Sequence, residues 1–215
     1  MRKVLPLVLV VVGILTLVSV AGPIGWQQLN YLTRPKLLDP TQVTGNPAVL
    51  AASIFSGGVD YTDSETWFPA NPHATTVSKV RYYTLSIPVL DINNLPVEIN
   101  GVDLKKNAIQ YSGTAVPGSY GNTVIFGHST LPQLSKAGNP LSAFTPLPKI
   151  KKGAEVVINY DGVTYRYRVR DTMEVKPTQI EVLAQRYDKY ELTLITCVPL
   201  GTYLHRFVAR AELVN

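Results

Sequence analysis

The sequence predicts a mainly β domain, a closed antiparallel barrel or a sandwich, behind an N-terminal apolar helix. Three observations carry this expectation. Short apolar or alternating runs recur between turns from about residue 80 onward, as in all-β folds. Sixteen prolines and fifteen glycines supply the turns such a fold needs and do not suit a helical bundle. Asp161-Gly162 sits between two alternating runs, which is a strong hairpin signal.

The first element is the apolar run from Val4 to about Trp26, behind Met1-Arg2-Lys3. Roughly 20 apolar residues cross a hydrocarbon core of about 30 Å as a helix. In lipid the backbone must satisfy its own hydrogen bonds, so a helix is the form expected. Arg2 and Lys3 favour a cytoplasmic N-terminus and an exported remainder. Residues 1–26 are therefore read as a cytoplasmic tip and single-pass membrane anchor. Ser19-Val20-Ala21 offers the alternative of a cleaved signal, but the apolar run is longer than signal peptides use. Either reading exports the rest of the chain.

Residues 27–79 read as a stalk or N-terminal extension rich in proline, with a short helical piece expected near 47–55. Residues 80–215 read as the folded domain. Tyr83 to Ile87 alternates before Pro88, and Asn122 to Gly127 is a short apolar run suited to a buried strand. Ala154 to Tyr160 leads into Asp161-Gly162. Beyond that turn, Val163, Tyr165, Tyr167 and Val169 fall on one side, and Thr164, Arg166, Arg168 and Arg170 on the other. This is a half-buried strand with a wet basic face. Glu191 to Thr196 and His205 to Leu213 are the last two strands expected. The net charge of +5 is diffuse and gives no argument for nucleic acid.

Chemistry concentrates at strand ends. His128 follows directly on the 122–127 run, and Cys197 directly on the 191–196 run. Arg206 opens the last strand. The single cysteine allows no internal disulfide. A lone cysteine is ordinarily a small buried hydrophobe. A thiol with an imidazole and a guanidinium makes a complete set for acyl transfer instead. The thiolate attacks, imidazole moves protons near neutrality, and the always-charged fork steadies an oxyanion.

The motifs around these residues carry a resemblance. Thr193-Leu194-Ile195-Thr196-Cys197 resembles the sortase signature, in which the nucleophile ends a strand reading T-L-x-T-C. Val124-Ile125-Phe126-Gly127-His128 resembles that family's apolar strand running into Gly-His. Arg206-Phe207-Val208-Ala209-Arg210-Ala211 resembles its arginine-initiated strand. Ser142-Ala143-Phe144 through Lys151-Lys152-Gly153 resembles its short helix and Lys-Gly turn. The resemblance covers about Tyr83 to Leu213.

The resemblance implies an eight-stranded β-barrel with short helices and a catalytic set of Cys197, His128 and Arg206. It implies a membrane-anchored cysteine transpeptidase that cuts an LPXTG-like signal at the C-terminus of an exported protein. The acyl group passes to an amine, either a peptidoglycan precursor or a pilin subunit. This chemistry requires no metal or organic cofactor. Cys197 to Arg206 has the spacing of class C sortases, with Pro199, Gly201, His205 and Arg206 matching and Val198, Leu200, Tyr203 and Leu204 departing. The Asp-Pro-aromatic lid of that class is absent. Trp67-Phe68-Pro69 is the nearest candidate for a lid, against the alternative that Trp67 and Phe68 pack elsewhere. Two rival functions use the same residues differently: an exported thiol hydrolase or protease, and a surface-binding barrel with an inert Cys197.

Overall fold

The computed structural model describes residues 60–68, 75–136 and 138–214, together with residues 12, 15, 16, 18, 19, 22 and 29. The chain divides into two units, Met1–Pro40 and Thr41–Asn215. Every described residue of the first unit is helical. Among the described residues no helix is long and apolar enough to cross a membrane. Most of the expected 4–26 span lies outside the described residues, as do the helical piece expected near 47–55 and Pro69.

Eight strands close a barrel in the second unit. They are β1 (Tyr82–Ile87), β2 (Ile92–Ile99), β3 (Ala108–Gln110), β4 (Gly121–Phe126), β5 (Glu155–Tyr160), β6 (Val163–Val175), β7 (Tyr190–Val198) and β8 (His205–Leu213). Their order around the barrel is β1-β2-β3-β4-β7-β8-β6-β5. Closure leaves no unpaired sheet edge. The alternation read for β6 is realised in the middle of the strand but not beside the turn, where Val163 is exposed and Tyr165 half-buried. Tyr167 and Val169 are buried, and Arg166, Arg168 and Arg170 are exposed. β6 is longer than that pattern indicated, because a bulge between Val169 and Asp171 shifts the register and lets it pair with β8 as far as Val175.

Two junctions correct the antiparallel expectation. β2 pairs with β3 in parallel, and so does β4 with β7. Parallel neighbours need a crossover connection. The β5–β6 hairpin and its flanking turns supply it between β4 and β7. The consequence is positional. Parallel strands end together, so the residues following β4 and those ending β7 lie at one end of the barrel. The antiparallel β8 begins at that same end, with Cys197 opposite Arg206.

Alternation sorts β4, β7 and β8 into two cores. Ile125, Leu192, Leu194, Phe207 and Ala209 belong to the barrel interior, with Leu85, Val97 and Ile158. Val124, Phe126, Ile195, Cys197 and Val208 face the other way, into a second cluster with Trp67, Phe68, Val182 and Leu183. The continuous apolar run of β4 is thus a strand buried on both faces. What covers its outer face is the 60–68 segment, assigned from sequence to the extension.

Candidate active site

Two hydroxyls stitch the ends of β4 and β7 together beyond their ladder. The Thr196 hydroxyl donates to the Gly127 carbonyl at 2.8 Å, and the Ser129 hydroxyl to the Cys197 carbonyl at 2.9 Å. The Gly127 amide donates to the Ile195 carbonyl at 3.1 Å. His128 is therefore fixed on main chain bonded across to the residues around Cys197. Gly127 has a packing reason: a Cβ there would lie 2.4 Å from the Phe144 ring. Phe144 in turn donates its amide to the His128 carbonyl at 2.9 Å.

All three residues expected from sequence lie at this end, and all are buried. Arg206 is fully buried. Its Nη1 donates to the carbonyls of Tyr203 at 2.9 Å and His205 at 3.3 Å, and its Nη2 to the Trp67 carbonyl at 3.3 Å. Among the described residues no carboxylate pairs with it, and its Nε has no hydrogen-bond partner. A buried cation satisfied only by neutral carbonyls retains unspent attraction for negative charge. His128 Nδ1 is also buried without a partner.

Ionisation follows burial. Desolvation pushes the Cys197 thiol up to about 11, although Arg206 pulls it down. Burial lowers His128, and the Asp60 carboxylate opposes that shift. Burial also lowers Arg206, with Cys197 and Tyr61 acting the other way. Burial thus favours the neutral forms of both the Cys197 thiol and the His128 imidazole.

The cover is the 60–68 segment. Its main chain is anchored on the β2–β3 connection, with the Ser64 amide donating to the Val102 carbonyl at 2.9 Å and the Leu104 amide to the Thr62 carbonyl at 2.8 Å. The Trp67 indole donates to the Tyr61 carbonyl at 2.8 Å, folding the segment on itself. The Trp67 ring stacks on Phe126 at 5.1 Å, and the Arg206 guanidinium lies 5.2 Å from Trp67 and 6.0 Å from Phe68. Both lid candidates are fully buried over the site. Sequence reading did not single out Tyr61, Ser129 or a positive role for Tyr203. Ser129 offered only its place next to His128.

A family model described as Sortase domain matches residues 80–214. The chain belongs to the sortase family. Among curated relatives, this sortase is 28% identical over 132 residues to sortase A of Streptococcus agalactiae, covering 60% of this chain and 51% of that one. It is 30% identical over 134 residues to sortase A of Bacillus anthracis, covering 61% and 59%. The chain thus spans between half and three-fifths of the length of these relatives. Among solved structures it resembles a lid mutant of sortase A from Corynebacterium diphtheriae, with 30% identity, a TM-score of 0.55, and coverage of 65% of this chain and 73% of that one. Sortase C1 from Streptococcus suis gives 29%, 0.54, 62% and 73%. The shared architecture is the closed eight-stranded barrel.

Proposed function

We propose that this chain is a cysteine transpeptidase, anchored in the membrane by residues 4–26 with its barrel outside. It cuts an LPXTG-like sorting signal in an exported protein and passes the acyl group to an amine. The observation that carries the reading is Arg206, a fully buried guanidinium with no carboxylate partner among the described residues, opposite Cys197 in the β7–β8 register. Structural burial of such a cation is costly. A site that must receive an oxyanion gives it a purpose.

In the reaction, Cys197 gives its thiol proton to His128 as its sulfur attacks the carbonyl carbon of the signal's threonine. Arg206 holds the tetrahedral oxyanion with the fork that now holds the Trp67 carbonyl. The C–N bond breaks, and His128 delivers a proton to the departing amine. An incoming amine then attacks the thioester and gives up a proton to His128, and the thiolate leaves. The acceptor is a peptidoglycan precursor or a pilin lysine, and this chemistry calls on no cofactor or metal. The 60–68 segment acts as a lid, because it buries the nucleophile and occupies the fork of Arg206. One relative, from Corynebacterium diphtheriae, is described by a lid mutant, in keeping with this role.

The test uses a fluorogenic LPXTG-type peptide with and without triglycine. A ligated product and a transient thioacyl adduct on Cys197 in intact-mass spectra are expected. Cleavage that yields only acid at every amine concentration selects the thiol hydrolase instead. No adduct and an inert thiol select the binding barrel.

A further inference from the structure

In the proposed reaction His128 handles both the departing and the arriving amine, so the groups flanking its ring meet those amines. Tyr203 is such a group. Its ring lies parallel to His128 within 12°, with centroids 6.1 Å apart. Its carbonyl is held by Arg206, which ties the loop between β7 and β8 to the oxyanion fork. The same ring stacks on Tyr61 of the lid at 4.2 Å and 8°. Tyr203 remains 36% exposed while Trp67 and Phe68 are at 0%. The tyrosine pair is therefore the solvent edge of the lid, and the Trp67–Phe68 pair its buried end.

An amine nucleophile reaches a neutral site as an ammonium ion, since alkylamines and peptide N-termini are protonated at pH 7. An ammonium ion is recognised by the face of an aromatic ring and by a carboxylate. Both stand here. Asp60 immediately precedes Tyr61, and its charge acts on both His128 and Tyr203. Asp60 is itself steadied by the amide and hydroxyl of Thr62 and by Lys105 at 3.7 Å.

We infer that Tyr203 is the shelf of an acceptor subsite for alkylammonium groups, and that Tyr61 occupies this shelf while the lid is closed. The inference rests on the transpeptidase reading above. One segment then blocks both substrates with different residues: Trp67 and Phe68 on the acyl-donor side, Tyr61 on the amine side. Once Tyr61 leaves, the ammonium lies on Tyr203 and passes its proton to the neutral His128 imidazole. The free amine attacks the thioester carbon, the C–S bond breaks, the attacking nitrogen gives its second proton to the departing Cys197 thiolate, and His128 releases the ammonium's proton to solvent.

The experiment measures the ratio of transfer to hydrolysis for an LPXTG-type donor at subsaturating triglycine. Tyr203→Leu removes the π-face and should lower that ratio about 5- to 10-fold, the size of a cation–π contact at a partly exposed site. Tyr203→Phe should restore it. Tyr61→Ala should move the ratio the other way. With hydroxylamine, which is largely uncharged at pH 7.5, Tyr203→Leu should leave the ratio near wild type. In the wild-type protein, choline should compete with triglycine while the isosteric neutral alcohol 3,3-dimethylbutanol does not. An unchanged triglycine ratio in Tyr203→Leu, the same direction of change in both tyrosine variants, or equal competition by choline and the alcohol would overturn the subsite. Transfer that is absent from wild type with every amine overturns the transpeptidase reading itself, a separate outcome.

Discussion

Arg206 and Cys197 were both legible as residues, but their environment was not. The T-L-x-T-C run and the strand beginning at Arg206 marked them in sequence. The Trp67-Phe68 pair suggested a fold-back over the site, but that Arg206 would be buried with only the carbonyls of Trp67, Tyr203 and His205 as partners is not encoded in any local pattern. The role expected of Arg206 is testable by substitution. Arg206→Lys keeps the charge and loses the planar fork, and Arg206→Gln loses both. Each should reduce kcat/KM for donor cleavage by about 10²–10³, measured against a protein whose thermal unfolding confirms that it is folded. Cys197→Ala should give no thioacyl adduct, because the chain contains one cysteine. The thiol also makes a pH prediction. Burial raises its pKa to about 11, so the thiolate fraction is small and grows with pH through the neutral range. Alkylation of the closed protein by iodoacetamide should rise about tenfold per pH unit between 6 and 9. A plateau below pH 8 would mean that the site is open in solution.

At the scale of elements, the strands with clean alternation or unbroken apolar runs were readable, and β2 and β3 were not. β2 contains Asn94 with φ of +48° and Pro96, and its burial does not alternate. β3 has three residues, too few to display a period. The parallel pairing of β4 and β7 was also hidden, because neighbour choice is set by the closure of the whole barrel. Two predictions belong here. Trp67→Ala with Phe68→Ala should uncover Cys197, raising its alkylation rate at pH 7 several-fold and lowering the apparent thiol pKa as water returns. It should also lower stability, since burying large aromatics contributes about 3–5 kcal/mol each where the gap cannot close. Equal alkylation rates with both proteins folded would rule the lid out. Gly127→Ala should meet the Phe144 ring and destabilise by about 1–3 kcal/mol, seen as a lower midpoint in urea. Combining it with Phe144→Leu should recover part of that loss.

For the molecule as a whole, anchoring is the open claim that experiment reaches most directly. Protein expressed in its host membrane should resist carbonate extraction, and its intact mass should include residues 1–26. A mature chain beginning after Ala21 would favour the cleaved signal. A mainly β domain, barrel or sandwich, was legible at this scale from turns and composition, and the closed eight-stranded barrel came through the resemblance. The extension was read as a stalk on its prolines, yet residues 60–68 are part of the packed domain. Composition reports what a segment lacks, and it does not report which apolar surface elsewhere is waiting to be covered.

Besides the Asp60–Lys105 ion pair, the footing of the 60–68 segment on the β2–β3 connection runs through main-chain groups, at Thr62, Ser64, Val102 and Leu104, and Arg206 also grips a main-chain carbonyl. Main-chain contacts are indifferent to side-chain identity. The main-chain part of this seat should tolerate side-chain substitution, while Trp67, Phe68 and Tyr61, whose rings carry the packing, should not. The match to the family begins at residue 80. The seat of residues 60–68 is therefore defined by what lies against Arg206, outside the span that the family model matches.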